Sequence, residues 1–181
     1  MLWKYLKPLA LGMYRGLTGA TIRGRAFMKW AQPGWGVIGL GHKKAPGLPD
    51  VRWIPYDMAR PPSSSQHPYM RQMEDAVLRG QATARVMLKL RKQGWKPDVI
   101  LAHPGWGETL YAKDVFPDAK LIHFCEYYYQ AQGADAGFDP EFPLEINGAV
   151  SIRSRNALHL LNLENCDQAI TPTYWQHSLH P

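Results

Sequence analysis

The chain has 181 residues, 45% of them hydrophobic and 20% charged, the make-up of an ordinary globular domain with room for one core. That composition excludes collagen-like and disordered chains, and two isolated cysteines, Cys125 and Cys166, make neither a disulfide framework nor a zinc knuckle. The net charge of +6 is lopsided, because residues 1–49 hold eight bases and no acid while the other 13 bases face all 15 acids; this argues against nucleic acid as a partner and leaves contact between the N-terminal quarter and an anionic membrane surface.

Residues 1–30 place Leu2, Leu6, Leu9, Met13 and Leu17 at helical spacing. They are read as a first, core-packing helix, weakened by Pro8 and three glycines. An amphipathic helix on a membrane surface is the alternative. No signal peptide is expected, since no A-x-A-like site follows the run Pro8 to Tyr14. No apolar stretch reaches the roughly 18 residues of a membrane-spanning helix. Cytoplasm is therefore the expected location, with peripheral attachment to the inner face of the membrane as a variant.

Beyond residue 36 strands and helices alternate. Val37–Leu40 and Val51–Pro55 read as strands, the second at a sheet edge because proline cannot donate to a ladder. Gly39 to Lys44 has neither the spacing nor the following helix of a phosphate-binding loop, and reads as a strand end and turn. Arg60 to Gln66 is a loop. Pro68 to Gln93 is a long helix with Met70, Met73, Val77, Ala84 and Met87 inward, ended by Gly94. A strand at Val99–Ala102, a short helix at Glu108–Lys113 and a strand at Leu121–Cys125 follow. A helix over Leu144–Asn165 comes next, with Ile146, Ala149, Val150, Ala157, Leu160 and Leu161 inward. A strand at Gln168–Thr171 and a helix from Tyr174 complete the pattern. Such repetition predicts an α/β, Rossmann-like fold with a mostly parallel sheet and helices on both faces. Ligands of these sheets bind at the carboxyl ends of the strands. The loops to inspect therefore begin at His103, Glu126 and Pro172.

His103-Pro-Gly-Trp-Gly-Glu108 carries the richest chemistry. Gly105 and Gly107 let backbone approach a ligand. Trp106 offers a flat apolar face to a sugar ring, and Glu108 is either an acceptor for sugar hydroxyls or a first-turn acid favoured by the helix dipole. Glu126 followed by Tyr127, Tyr128 and Tyr129 joins a carboxylate to amphipathic rings; the competing reading makes the tyrosines core and rim residues. Adjacent strands would bring Glu126 near His103. A metal site from His103, His123, Glu108 and Glu126 lacks a close ligand pair and is not expected. A Cys125–His103 nucleophile is disfavoured, since buried strand cysteines are usually inert. Residues 132–140 match a calcium loop only loosely and read as a surface loop.

His103 to Glu108, Lys113-Asp-Val-Phe-Pro-Asp118, Cys125 to Tyr129, Gly137-Phe-Asp-Pro-Glu-Phe-Pro143, Arg155-Asn-Ala157 and Thr171-Pro-Thr-Tyr-Trp-Gln176 together resemble the N-terminal domain of a bacterial branch of glycosyltransferase family 4. The resemblance runs over residues 37–181. It implies the GT-B architecture, in which two Rossmann-like domains face each other across a cleft. The N-terminal domain holds the acceptor and the C-terminal domain holds a nucleotide-sugar donor. Transfer retains configuration and needs no bound cofactor or metal. It further implies that His103, Gly105, Trp106, Gly107, Glu108, Glu126, Tyr127 and Tyr128 lie on the cleft side as substrate-binding residues, and it assigns no catalytic base. The implied partner is a sugar or lipid-linked acceptor, in cell-envelope or exopolysaccharide synthesis.

Two departures shape the expectations. Residues 1–36 do not show the family's opening strand and glycine loop, so they are set apart as a divergent basic segment ahead of a domain at 37–181. The sequence also stops where the family crosses to its donor-binding half, so the isolated chain is expected not to catalyse transfer. The competing function is a non-catalytic carbohydrate- or partner-binding module.

Overall fold

A computed structural model describes residues 9–14, 36–45, 47 and 51–181. Six parallel strands form one sheet: β1 (Leu9–Tyr14), β2 (Gly36–His42), β3 (Arg52–Tyr56), β4 (Val99–Ala102), β5 (Lys120–Phe124) and β6 (Gln168–Ile170). Their order across the sheet is β3-β2-β1-β4-β5-β6. The order reverses between β1 and β4, and ligands of such folds bind at that reversal, beyond the carboxyl ends of the strands.

The first strand corrects the expected N-terminal helix. Leu9–Tyr14 pairs in parallel with β2 on one side and with β4 on the other, so the sheet reaches into the segment set apart at residues 1–36. Central parallel strands are covered on both faces and read as unbroken apolar runs, without the period-two alternation that marks a strand. The remaining residues of that segment, 1–8 and 15–35, lie outside the described residues, as does most of any membrane-surface helix there.

β3 sits at the sheet edge, as Pro55 requires. The helix α1 (Arg71–Lys92) follows a 3-10 turn at Pro68–Met70 and ends at Gly94, which takes the left-handed conformation at φ +85°. Its inward face differs from the methionine and valine stripe. Met87 is buried, but Met70 is exposed and Met73, Val77 and Ala84 are only half-buried. Ala76, Gly80, Ala82 and Thr83 are buried instead. Small residues are needed there because the chain leaving β4 presses against the helix. A Cβ on Gly80 would come within 2.8 Å of the Gly107 carbonyl oxygen, and one on Gly107 within 2.3 Å of the Ala76 carbonyl oxygen. Met87 and Leu90 pack on Ile38, Leu40, Ile100 and Leu121 of the sheet to make the core.

The expected helix at Glu108–Lys113 is replaced by a 3-10 turn, Pro104–Trp106, and a short helix α2 (Ala112–Val115). Gly107 at φ +93° interrupts helical winding between them. Helix α3 (Ile146–Glu164) forms close to its expected bounds, but turned over. Ile146 is 76% exposed, and Val150, Leu160 and Leu161 also face outward. Its buried face carries Ile152, Asn156, Leu158, His159 and Asn162. Periodicity finds the apolar stripe, yet α3 packs on α1 and on the Pro104–Trp106 turn, whose backbone polar groups need hydrogen-bonding partners. A final helix, α4 (Tyr174–Ser178), is capped by the Thr173 hydroxyl, which accepts from the Gln176 N–H at 3.1 Å.

Among the described residues no helix is long and apolar enough to cross a membrane.

Gly107 is the position where backbone conformation and space coincide. Gly107→Ala combines a disfavoured positive φ with overlap on the α1 backbone, and its expected cost is about 2–4 kcal/mol. Gly94→Ala, with nothing within 4 Å of its added Cβ, pays only the conformational part, about 1 kcal/mol. Urea unfolding of the two variants checks the difference; equal midpoints would contradict this packing.

Candidate functional site

The site grows from β4 and β5, whose ends lie side by side. His103 leaves β4 and caps the following 3-10 turn, its Nδ1 accepting the Gly105 N–H at 2.9 Å. Gly105 has no room for a side chain, since a Cβ would meet the His103 ring at 2.8 Å and His159 Cε1 at 3.1 Å. With Nδ1 committed as an acceptor, a neutral His103 carries its proton on Nε2. That nitrogen lies 3.6 Å from Glu126 Oε2, beyond the end of β5. The juxtaposition expected from adjacent strands is therefore present.

Rings surround this pair. Trp106, 37% exposed, lies with its ring centroid 5.7 Å from that of His103. The His159 ring, from α3, stands edge-on to His103 at 6.4 Å, to Tyr128 at 6.2 Å and to Tyr129 at 5.8 Å. Tyr128 also contacts the His180 ring at 5.6 Å. Tyr127 lies on the outer flank, 6.5 Å from Trp175 of α4, and α4 is tied to the site by Gln176 Nε2, which donates to the Glu126 carbonyl at 2.8 Å.

Gly107 and Glu108 are not part of this group. Gly107 backs onto α1, as described above. Glu108 is 2% exposed and is drawn toward the sheet edge, where the Tyr56 hydroxyl donates to its Oε1 at 2.5 Å. Arg79 approaches the same hydroxyl at 3.5 Å and is held by Asp75 through Nε at 2.7 Å. Burial, with the Glu108 carboxylate alongside, raises the Tyr56 phenol and keeps its proton in place. Sequence reasoning gave His159, Asn156, Asn162, His180 and Trp175 no role at the site. Asn156 and Trp175 fall in motifs that carry the family resemblance, Arg155-Asn-Ala157 and Thr171 to Gln176, while His159, Asn162 and His180 fall in none.

Burial sets the acid–base character. Cys125 is fully buried and its thiol is pushed up to about 12, which removes it as a nucleophile at neutral pH. Desolvation lowers His123 to about 4, and desolvation with His180 and His123 nearby lowers His159 to about 4. Both are neutral at pH 7. Among the described residues no three His, Cys, Asp or Glu side chains are grouped to hold a metal ion.

The sequence profile of the glycosyl transferase family 4 group matches residues 33–181. The chain belongs to this family. No curated protein sequence matches it. Among solved structures it resembles Os79 from O. sativa, crystallised in complex with UDP, with a TM-score of 0.58 at 12% identity, over 92% of this chain and 46% of that one. The UDP-GlcNAc 2-epimerase from Methanocaldococcus jannaschii superposes with a TM-score of 0.47 at 14% identity, over 95% of this chain and 41% of that one. At 12% identity the likeness to Os79 is one of fold. The chain spans about half the length of the solved structures it matches. The family and the strand order agree on a Rossmann-like domain of the GT-B kind. The His103–Glu126 group sits on the strand-end side of this family 4 domain.

The buried histidines give the domain a pH signature. Each binds a proton near pH 6.5 when unfolded and only near pH 4 when folded. Their neutral-state stability is thus complete above pH 6.5, is lost as pH falls toward 4, and changes no further below that. Between pH 6 and 4.5 unfolding free energy is expected to fall with a contribution of up to two protons. His123→Phe removes about one proton from that slope. Urea unfolding at a series of pH values measures it; an unchanged slope in the variant would contradict the burial assigned to His123.

Proposed function

We propose that this chain is the acceptor-side domain of a retaining glycosyltransferase that uses a nucleotide-sugar donor. The observation that carries the reading is the pairing of His103 with Glu126 at 3.6 Å, with the Trp106 and His159 rings against His103, at the strand-end side of a family 4 domain. A sugar acceptor presents hydroxyls on its rim and an apolar C–H face. Glu126 accepts a hydrogen bond from an acceptor hydroxyl, and His103 Nε2–H donates to a neighbouring oxygen. Trp106 covers the C–H face, an arrangement typical of sites with a few placed polar groups among aromatic walls.

In this reading the donor is held mainly by a second half of the enzyme, where the leaving diphosphate must be stabilised electrostatically. The 181-residue chain by itself then holds an acceptor without transferring sugar to it. No cofactor is required of this half. The acceptor class is a glycan or lipid-linked sugar of cell-envelope or exopolysaccharide synthesis. Such an acceptor suits a cytoplasmic enzyme or one peripheral to the inner membrane face.

The test is transfer by the full gene product, read as nucleoside diphosphate released from a panel of UDP- and GDP-sugars in the presence of membrane-derived acceptor. His103→Ala and Glu126→Gln are each expected to lower kcat/KM by about ten- to a hundredfold, the first by losing a donor to the acceptor and a ring packed beside it, the second by losing a charge-assisted hydrogen bond. Release that both variants leave unchanged would remove the group from the site.

A further inference from the structure

Helix α3 buries two primary amides, Asn156 and Asn162, with His159 between them. Burying an amide is costly unless its donors and acceptor are used. Here both amides are used, and each on a different loop. Asn156 Oδ1 accepts the Tyr129 N–H at 3.1 Å while its Nδ2 donates to the Tyr129 carbonyl at 2.7 Å. Asn162 Oδ1 accepts the Thr109 hydroxyl at 2.9 Å while its Nδ2 donates to the Pro104 carbonyl at 2.8 Å.

The first amide therefore grips the loop that carries Glu126, and the second grips the loop that carries His103. The two anchors stand six positions apart on the helix, a rise of about 9 Å that an α-helix keeps fixed. The His159 ring fills the space between, in edge contact with His103 and Tyr128. Three of these four bonds go to loop backbone and the fourth to the Thr109 side chain, none to the sheet, whose ladder is complete without them. What they set is the spacing of the two loops, and with it the His103–Glu126 distance.

We propose that Asn156 and Asn162 are positioning residues of the acceptor site, holding His103 and Glu126 in register from a single helix. The inference rests on the reading that these two loops bind the acceptor. It assigns a role to the face of α3 that apolar periodicity would have turned to solvent.

A double-mutant cycle on the full gene product tests it, with glycosyl transfer measured for the wild type, Asn156→Ala, Glu126→Gln and the pair. Asn156→Ala alone is expected to lower kcat/KM by about ten- to a hundredfold, the usual consequence of an ångström-scale misplacement. In the Glu126→Gln background the same change is expected to cost less than about threefold, because the group it positions is already gone. A merely structural role would cost the same in both backgrounds, and that result overturns the proposal. Full activity in Asn156→Ala overturns it too. Asn156→Asp keeps the acceptor for the Tyr129 N–H and loses the donor. It is expected to fall between wild type and Asn156→Ala, and it carries the cycle if the alanine variant does not fold. If Glu126→Gln itself is fully active, the acceptor-site reading falls and takes this proposal with it. If Glu126→Gln is impaired and both Asn156 variants are not, only the positioning role falls.

Discussion

The contact between α1 and the chain leaving β4 fixes where everything else can sit. Gly80 and Gly107 allow two backbones to meet with no side chain between them. Thr83, fully buried in the same contact, donates its hydroxyl to the Glu108 carbonyl at 2.8 Å. Because the loop is pinned there, its first residues must turn sharply over the end of β4, and His103 folds back to cap that turn. Glu108 is drawn down toward Tyr56 by the same contact. The two acids of the candidate site thus part company: Glu108 becomes internal support for the loop, and Glu126 stays beside His103. Interiors packed at crystal-like density transmit such constraints over several residues.

Much of this frame was legible in the sequence. β4 and β5 read plainly because they are short β-branched and leucine-rich runs bounded by polar turns, and Pro55 alone placed β3 at an edge. The pairing of His103 with Glu126 followed from the strand-end rule and neighbouring strands. β1 was not legible, since Leu9–Tyr14 shows no polar–apolar alternation, and its Leu9 and Met13 fall by coincidence on a stripe at helical spacing with Leu2, Leu6 and Leu17. Glu108 reads either as a ligand for sugar hydroxyls or as a first-turn acid, because its loop is glycine-rich and follows the end of a strand. Its engagement depends on Tyr56, 52 residues away in sequence, which no local pattern displays.

Helix α3 shows the limit of periodicity most clearly. The rule identifies which residues share a face but not what that face meets. Against a sheet, the apolar stripe of α3 would be buried. Against two loops with unsatisfied backbone groups, the asparagines go inward instead, and Ile146, Val150, Leu160 and Leu161 are left outside. A helix of this kind is a clamp with an apolar back. Its cost in exposed hydrocarbon is set against four amide hydrogen bonds that no leucine could supply.

The central claim is that the ends of β4 and β5 hold the acceptor. Amide hydrogen exchange of the full gene product, with and without membrane-derived acceptor, measures this most directly. The account predicts slowed exchange concentrated in residues 103–109 and 126–130, with the outer face of α3 unchanged. Protection confined to other parts of the domain, with these two loops exchanging as before, would contradict it.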